Sequence, residues 1–149
     1  MKNPIKLFKS IFKLEDNPEK IAKGFAMGSF IGMMPIPGFQ VLVSLAFASL
    51  FKLNKKAACV AVFNTNLVTG LFIFSFNYWL GQKVLGIESG FAFPDKLDIH
   101  FVSTIFKAGS EVYLSLIVGG IITGIIYAIA AYFLLKNILT KRLKKEFSN

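Results

Sequence analysis

The chain has 149 residues, enough for one domain, and its composition is strongly apolar. Hydrophobic residues make up 54% and charged residues 17%, with a mean hydropathy of +0.61, which excludes an ordinary soluble domain and predicts a membrane protein. The net charge of +9 therefore predicts contact with anionic lipid head groups at a cytoplasmic membrane face, and not with nucleic acid.

Residues 1–16 form the first predicted element, a basic amphipathic helix. Its apolar side chains recur every three or four residues with lysines between them, at Ile5, Phe8, Ile11 and Phe12. Such a helix is typical of segments that lie on an anionic membrane surface. The same pattern also suits a helix that packs against the protein itself.

A second helix is predicted to begin at Pro18 and to run to about Met33. Asp16 or Asn17 is the expected cap, because a short polar side chain there can accept a hydrogen bond from the first turn. Pro18 suits the first helical position, and Glu19 would lie near the positive end of the helix dipole.

Two sets of small residues recur every four positions, so each would form a smooth helix face that another backbone can approach closely. The first lies in the helix that begins at Pro18 and consists of Gly24, Gly28 and Gly32. The second lies in the last apolar run and consists of Gly120, Gly124 and Ala128. We expect these glycine faces to pack helix on helix, within the chain or across a homo-oligomer. A groove for lipid or substrate is the alternative.

Residues 24–51 carry no charge, as a membrane-embedded segment requires, yet two prolines and a glycine interrupt them. Pro35 should end the first helix because it lacks an amide hydrogen and disfavours helical geometry in the residue before it. Pro37 suits the first turn of a second helix, which we expect to continue to Phe51. The segment is thus predicted as two half-helices that are broken at Pro35, Pro37 and Gly38.

The distribution of basic residues decides whether this segment crosses the membrane. If it crosses, nine basic residues lie on one side and eight on the other. If it turns back at 35–38, the amino terminus, the 52–56 turn and the carboxy-terminal tail share one side with six, three and five basic residues, against three opposite. The positive-inside rule favours the second arrangement, a re-entrant helical hairpin with both termini cytoplasmic. Length agrees, because residues 24–34 rise only about 16 Å, half of a hydrocarbon core.

Two transmembrane helices are predicted after the hairpin, at about 57–80 and 112–135, because each run is long and apolar enough to cross a bilayer. Residues 91–110 between them alternate apolar and polar groups and are predicted to form an outer interfacial helix. A second, shallower re-entrant element is the alternative for this segment. Residues 136–149 are predicted to be a basic cytoplasmic tail. The expected architecture is one all-α membrane domain that covers the whole chain, with its core at 17–135.

Polar residues gather at the start of the first predicted span, in the stretch NTNLVT at 64–69. A polar group in hydrocarbon needs a partner. Suitable partners are the freed amides of Gly38, Phe39 and Gln40 and the carbonyls near Met33 and Met34. One interpretation is that the asparagines tie off the hairpin tip. The other is that the positive end of the second half-helix receives an anionic group in a pocket. The candidate substrate-binding residues of that pocket are Pro35, Pro37, Gly38, Gln40, Asn64, Asn66 and Thr69.

Catalysis and metal binding are poorly supported by the residue pattern. No aspartate or glutamate lies within the hairpin or either predicted span, which argues against a buried carboxylate proton relay. The single histidine, His100, and the single cysteine, Cys59, have no metal-ligand spacing around them. No phosphate loop, nucleotide motif or catalytic triad pattern is present. We therefore expect no enzymatic activity, no metal and no cofactor.

The segment from Glu19 to Asn66 resembles a bacterial membrane family, domain of unknown function 2062; it reads EKIAKGFAMGSFIGMMPIPGFQVLVSLAFASLFKLNKKAACVAVFNTN. The most specific match is the Pro-x-Pro-Gly-x-Gln turn at 35–40. An Asn-Pro-Leu-Thr-like element follows, in which Leu67 replaces the proline, so no break in the first predicted span is expected there. The glycine-rich run LIVGGIITGI also fits, and the resemblance covers about 17–135. It implies a bacterial inner-membrane location and, because some members are joined to glycosyltransferase domains, a link to envelope glycolipids.

Two function hypotheses follow. The first is a small, homo-oligomeric, multi-pass inner-membrane protein that transports or handles an anionic lipid or a small anionic substrate at the re-entrant hairpin. The broken-helix layout is similar to that of re-entrant-loop transporters of lipid-phosphate carriers, at the level of fold alone. The second hypothesis is a non-catalytic membrane scaffold or partner subunit of an envelope-glycolipid system, with the glycine faces as its contact surfaces.

Overall fold

The computed structural model describes residues 17–63, 65, 67–87 and 109–146. Five helices follow one another in these ranges: α1 (Pro18–Gly32), α2 (Gln40–Leu50), α3 (Lys55–Val62), α4 (Leu67–Leu85) and α5 (Ser110–Glu146). No strand occurs among the described residues, which confirms the prediction of an all-α protein. The predicted amphipathic helix at 1–16 and nearly all of the interfacial helix predicted at 91–110 lie outside the described residues.

Local sequence rules set both ends of α1. The Asn17 side chain accepts a hydrogen bond from the Glu19 amide at 2.9 Å, and Pro18 fills the first helical position. At the other end, α1 stops at Gly32, three residues before Pro35. A proline cannot donate the amide hydrogen that the next helical turn needs, so the helix ends where the sequence predicts it.

α1 and α2 form a helical hairpin. Gly38 in the connecting turn has a φ of +84°, a left-handed conformation that glycine adopts without steric cost. After α2, the Leu53 amide donates to the Ala48 carbonyl at 2.8 Å, which closes the helix end. The Asn54 amide then donates to the Lys20 carbonyl at 3.3 Å. The chain has therefore returned to the level at which α1 began.

α3 runs parallel to α1 and packs tightly against it. Side chains would prevent this approach, because a Cβ at Gly24 or Gly28 would overlap backbone atoms of the facing helix. The facing positions advance by four residues in both helices, as expected for parallel neighbours; they are Gly24 and Asn54, Gly28 and Ala58, and Gly32 and Val62.

The prediction of one span at 57–80 is wrong, because the chain forms two helices there, α3 and α4. The Thr65 amide lies 3.4 Å from the Val62 carbonyl, a tightened final turn. The Thr65 hydroxyl donates to the Val62 carbonyl at 3.2 Å and to the Gly32 carbonyl at 2.7 Å. A contact with a residue 33 positions earlier thus accompanies the break, although Leu67 stands where the family pattern has proline.

Among the described residues, α5 is the one helix long and apolar enough to cross a membrane, over Ser110–Lys141. Its most apolar window of 18 residues has a mean hydropathy of 2.2. Only 28% of that window is buried within the protein, so most of its residues are partly or fully exposed. It contains the span predicted at 112–135. The helix also continues through Glu146, so most of the segment predicted as a tail is helical.

Two buried apolar clusters hold the helices together at opposite ends of the bundle. One joins α1, α3 and the carboxy-terminal part of α5, and consists of Ile21, Ala57, Leu135 and Leu139. The other joins α4 to the first turns of α5, and consists of Phe74, Tyr78, Val112 and Leu116. The start of α1, the 51–54 turn and the end of α5 therefore lie together at one end of the protein.

Candidate functional site

Four consecutive backbone carbonyls at the hairpin tip, those of residues 32–35, lie inside the protein. The last carbonyls of a helix have no partner within the helix, and all four of these residues are buried. Each carbonyl accepts a hydrogen bond from a side chain of a different part of the chain. The donors to Gly32, Met33, Met34 and Pro35 are, in order, Thr65 at 2.7 Å, Asn77 at 3.1 Å, Gln40 at 3.0 Å and Tyr113 at 3.2 Å.

These four donors, which we call the tip donors, come from the α3–α4 connection, α4, α2 and α5. Side-chain hydrogen bonds thus join the carbonyl end of α1 to α2, to the α3–α4 connection, to α4 and to α5. An unpaired buried carbonyl costs about 1–3 kcal/mol, so these bonds favour this one arrangement of the tip. The Met34 carbonyl also accepts from the Ile36 amide at 2.8 Å and depends least on its side-chain donor. The Thr65 bond agrees with the interpretation that the NTN stretch ties off the tip, and the part of Asn64 and Asn66 in it stays a prediction.

Asn77 is the central tip donor, and it is completely buried. Its Nδ2 donates to the Met33 carbonyl, and its Oδ1 accepts from the Thr123 hydroxyl at 2.7 Å. The Thr123 hydroxyl also lies 3.0 Å from the Gly119 carbonyl of its own helix. Backbones come close here, because a Cβ at Gly119 would overlap the Asn77 carbonyl. Asn77 therefore links α1, α4 and α5 at a single point.

The glycine faces predicted from the sequence lie at internal helix contacts. Gly24, Gly28 and Gly32 face α3, as described above. Gly120 lies against the Met33 carbonyl, and Gly124 lies against the Phe30 ring and Met33 Cβ. Both glycines of the second face thus contact the end of α1.

Of the predicted substrate-binding residues, five lie in the described part of the chain. The Gln40 side chain is occupied by the Met34 carbonyl, and the Pro35 carbonyl by Tyr113. Pro37 is half-buried and Gly38 is exposed in the turn, and Thr69 is exposed in the first turn of α4. Asn64 and Asn66 lie outside the described residues.

Sequence reasoning missed Tyr113 and Thr123 and did not assign Thr65 and Asn77 to the candidate site. Thr65 and Asn77 carried a signal, since each is a polar residue in an otherwise apolar run. Tyr113 and Thr123 carried none, because hydroxyl side chains are common in membrane helices and often bond their own backbone.

A groove of about 700 Å³ opens between the two arms of the hairpin and α5. We call it the hairpin groove. Its walls are apolar. They include Met27 and Phe30 of α1, Phe47 of α2, Phe51 directly after α2, and Ile125 and Ile129 of α5. Among the described residues that line it, Lys23 is the one that carries charge. Lys23, Leu53 and Tyr132 mark one end of the groove, which we call its mouth.

Two lysines and one glutamate surround the mouth. The Lys23 ammonium lies 2.8 Å from a Glu19 carboxylate oxygen, and both side chains are about half exposed, at 51% and 48%. The hydrogen bond and charge of Lys23 hold the pKa of the Glu19 carboxyl below its ordinary value of 4.5. On the other side, Lys136 donates to the Tyr132 hydroxyl at 3.1 Å. The mouth therefore carries two positive charges and one negative charge.

A second, smaller groove of about 340 Å³ lies between α4 and α5. Asn77 and Thr123 are among its lining residues, with Met33, Ile73, Phe76 and Ile126. The polar groups of Asn77 and Thr123 already bond each other and Met33, so this groove offers mainly apolar contact. Among the described residues, no group of three or more histidine, cysteine, aspartate or glutamate side chains is placed to hold a metal ion.

Comparison with known proteins gives a family without an assigned activity. The model of one protein family matches residues 4–147, nearly the whole chain, and its description is "uncharacterized protein conserved in bacteria", domain of unknown function 2062. No curated protein and no solved structure matches the chain. The family match confirms the resemblance found in the sequence.

Proposed function

The chain belongs to the bacterial family domain of unknown function 2062, and we propose that it is a multi-pass inner-membrane protein that handles or transports an anionic lipid or small anionic substrate at its hairpin. The observation that carries the proposal is the hairpin groove, an apolar space between the arms of the hairpin with a lysine at its mouth. Apolar walls and a few placed charges are typical of ligand sites of this size.

The outer surface supports a membrane location. On α2, Leu42 and Leu50 are 63% and 73% exposed, and the apolar window of α5 is mostly unburied. A soluble monomer rarely leaves such contiguous apolar surface in water, whereas lipid tails cover it at no cost. α4 adds exposed aromatic side chains, those of Phe72, Phe76 and Trp79.

The position of the lysines supports a hairpin with both ends on the cytoplasmic side. The start of α1, the 52–56 turn and the end of α5 meet at one end of the bundle, through the Lys20–Asn54 bond and the cluster around Ile21 and Leu139. Basic residues collect on the cytoplasmic side of membrane proteins. α1 has 15 residues and rises about 22 Å, which is shorter than a hydrocarbon core of about 30 Å.

Cysteine labelling tests this orientation. In a Cys59→Ala background, the exposed positions Lys56 and Ser110 are changed one at a time to cysteine and treated with a membrane-impermeant thiol reagent. We expect Lys56→Cys to react only from the cytoplasmic side and Ser110→Cys only from the opposite side. Reaction of Lys56→Cys from outside contradicts the hairpin.

Reconstitution tests the function. Purified protein in vesicles should accelerate movement of a fluorescent phosphatidylglycerol between leaflets, or retain an anionic lipid through purification, whereas fluorescent phosphatidylcholine should be affected much less. Native mass spectrometry of the same preparation reports bound lipid and the homo-oligomer that we also propose. In this proposal Thr65 and Gln40 hold the tip, and Asn64 and Asn66 stay predicted substrate-binding residues. A protein that moves and retains no anionic lipid, yet copurifies with another membrane protein, supports instead the scaffold or partner-subunit role.

A further inference from the structure

We propose that the hairpin groove holds an acyl chain of an anionic phospholipid whose phosphate binds at the mouth, between Lys23 and Lys136. This inference rests on the proposed function, since it names the substrate class and the place where that substrate sits. It also moves the site away from the hairpin tip and assigns recognition of the anion to lysines at the mouth.

The groove has the direction and the lining that an acyl chain needs. On α1 the groove extends from Lys23 to Phe30, and on α5 from Tyr132 to Ile125. Each wall therefore spans eight residues, a rise of about 10 Å. α1 and α5 are antiparallel, because Phe30 meets Gly124 while Ile21 packs near Leu135. The groove therefore runs along the helices from a charged mouth to a wholly apolar end.

Charge at the mouth selects the occupant. Lys23 is largely neutralised by Glu19 at 2.8 Å, whereas Lys136 bonds the neutral Tyr132 hydroxyl. Glu19 and Lys23 both lie within electrostatic range of Lys136. The net charge of this cluster is about +1, which complements a phosphodiester that carries one negative charge.

The same charge disfavours the other candidates for this apolar space. Residues 1–16 of the chain contain four lysines and two acidic residues, and the end of α5 is also basic. A basic segment of this chain, or the basic end of a second copy, would bring like charge to Lys136. An anionic lipid brings opposite charge to the mouth and an apolar chain to the walls.

A tryptophan reporter in the groove tests the proposal with the full chain. Trp79 is the single tryptophan, and it is exposed on α4, outside the groove. We would use Trp79→Phe with Phe47→Trp, which places the reporter in the groove wall. Fluorescence quenching is then measured in vesicles that contain phosphatidylglycerol or phosphatidylcholine with brominated acyl chains. Trp79 in the unmodified chain is the matched control for lipid outside the groove.

We expect the groove reporter to prefer brominated phosphatidylglycerol by about fivefold, the effect of one net cation near a membrane surface, while the Trp79 control shows little preference. Lys136→Gln should remove most of the preference. Glu19→Gln should strengthen it, because it releases Lys23 for the phosphate. Equal quenching by both lipids, or a preference that Lys136→Gln leaves unchanged, overturns the proposal.

Two further experiments test whether an acyl chain fills the groove and whether the phosphate at the mouth belongs to a lipid. Ala128→Phe fills the groove without a change of charge and should reduce quenching of the groove reporter; Ala26→Leu serves the same purpose if the larger change prevents folding. If a folded groove-filling variant shows unchanged quenching, the proposal that an acyl chain occupies the groove is overturned. Water-soluble glycerol phosphate should not displace the lipid, and displacement would assign the mouth to free phosphate. If lipid still moves between leaflets while the groove reporter shows no lipid preference, this inference fails and the proposed function stands. If the reporter prefers phosphatidylglycerol but no lipid moves, the lipid site stands and the proposed transport fails.

Discussion

Replacing Asn77 by leucine should destabilise the fold more than any other conservative change at a single polar side chain in α4. Leucine has nearly the same shape as asparagine, so the variant removes the amide without opening a large cavity. It leaves the buried Met33 carbonyl without its donor and the Thr123 hydroxyl without its side-chain acceptor. The change therefore acts on the joint of α1, α4 and α5.

The magnitude follows from the bonds that are lost. A buried acceptor left unsatisfied costs about 1–3 kcal/mol in proteins generally. Hydrogen bonds between helices in membranes average about 0.6 kcal/mol and reach about 1.7 kcal/mol, because the unfolded helices also find partners. With two bonds lost, we expect the free energy of unfolding to fall by about 1–3 kcal/mol. Thr123→Val should also lower stability, by about 1–2 kcal/mol, because it leaves the buried Asn77 Oδ1 without the hydroxyl that donates to it.

The assay is reversible denaturant unfolding of the purified protein in detergent micelles, followed by intrinsic fluorescence. Ser44→Ala is the matched control. The Ser44 hydroxyl is fully buried and has no hydrogen-bond partner among the described residues, so its removal should leave stability unchanged or raise it. If Asn77→Leu is as stable as the unmodified protein, or no less stable than Ser44→Ala, the reasoning about the tip donors is refuted.

Three further predictions use the same unfolding measurement. Gly28→Ala should lower stability by about 1–3 kcal/mol, because its Cβ would overlap the Ala58 carbonyl; an unaffected variant would show that α1 and α3 are less closely packed. Lys52 has a left-handed φ of 53°, so Lys52→Gly should raise stability by about 1 kcal/mol, and a loss would contradict that backbone conformation. The lowered pKa of Glu19 means that its pair with Lys23 stabilises the protein above pH 4.5, and that this contribution is lost as the pH falls through the lowered value. Glu19→Gln should remove that part of the pH dependence, and high salt should weaken it.

The hairpin could be predicted from the sequence because its causes are local. Proline chemistry ends α1 before Pro35, Gly38 supplies the left-handed turn, and Asn17 caps the first helix within two residues of its donor. The break between α3 and α4 could not be predicted from the sequence, since no proline or glycine marks it. Its visible cause is the bond from Thr65 to Gly32, which exists only after α1 and α3 have packed together.

The candidate site shows the same limit. The sequence indicated that the hairpin tip would free backbone groups and that nearby polar side chains would be their partners. It did not indicate which ones, because Asn77 and Tyr113 are 44 and 78 residues away from the carbonyls that they bind. The hairpin groove carried no sequence signal at all. The sequences of its apolar walls are typical of ordinary membrane helices. Lys23 and Lys136 come near each other only when α1 and α5 pack antiparallel.

The break at α4 leads to a prediction that runs against ordinary experience with proline. Leu67 is the first residue of α4, a position at which proline is favoured because its missing amide hydrogen has no partner in the helix. We expect Leu67→Pro to change the free energy of unfolding by less than about 1 kcal/mol in either direction. Ser75→Pro, in the interior of the same helix, should cost about 3 kcal/mol or more and is the matched control. A continuous span at 57–80 would instead make both prolines equally damaging. Equal losses of stability in the two variants would therefore support a continuous helix over 57–80. If only Leu67→Pro is tolerated, the result supports a helix break that packing maintains although this chain lacks the proline of the family pattern.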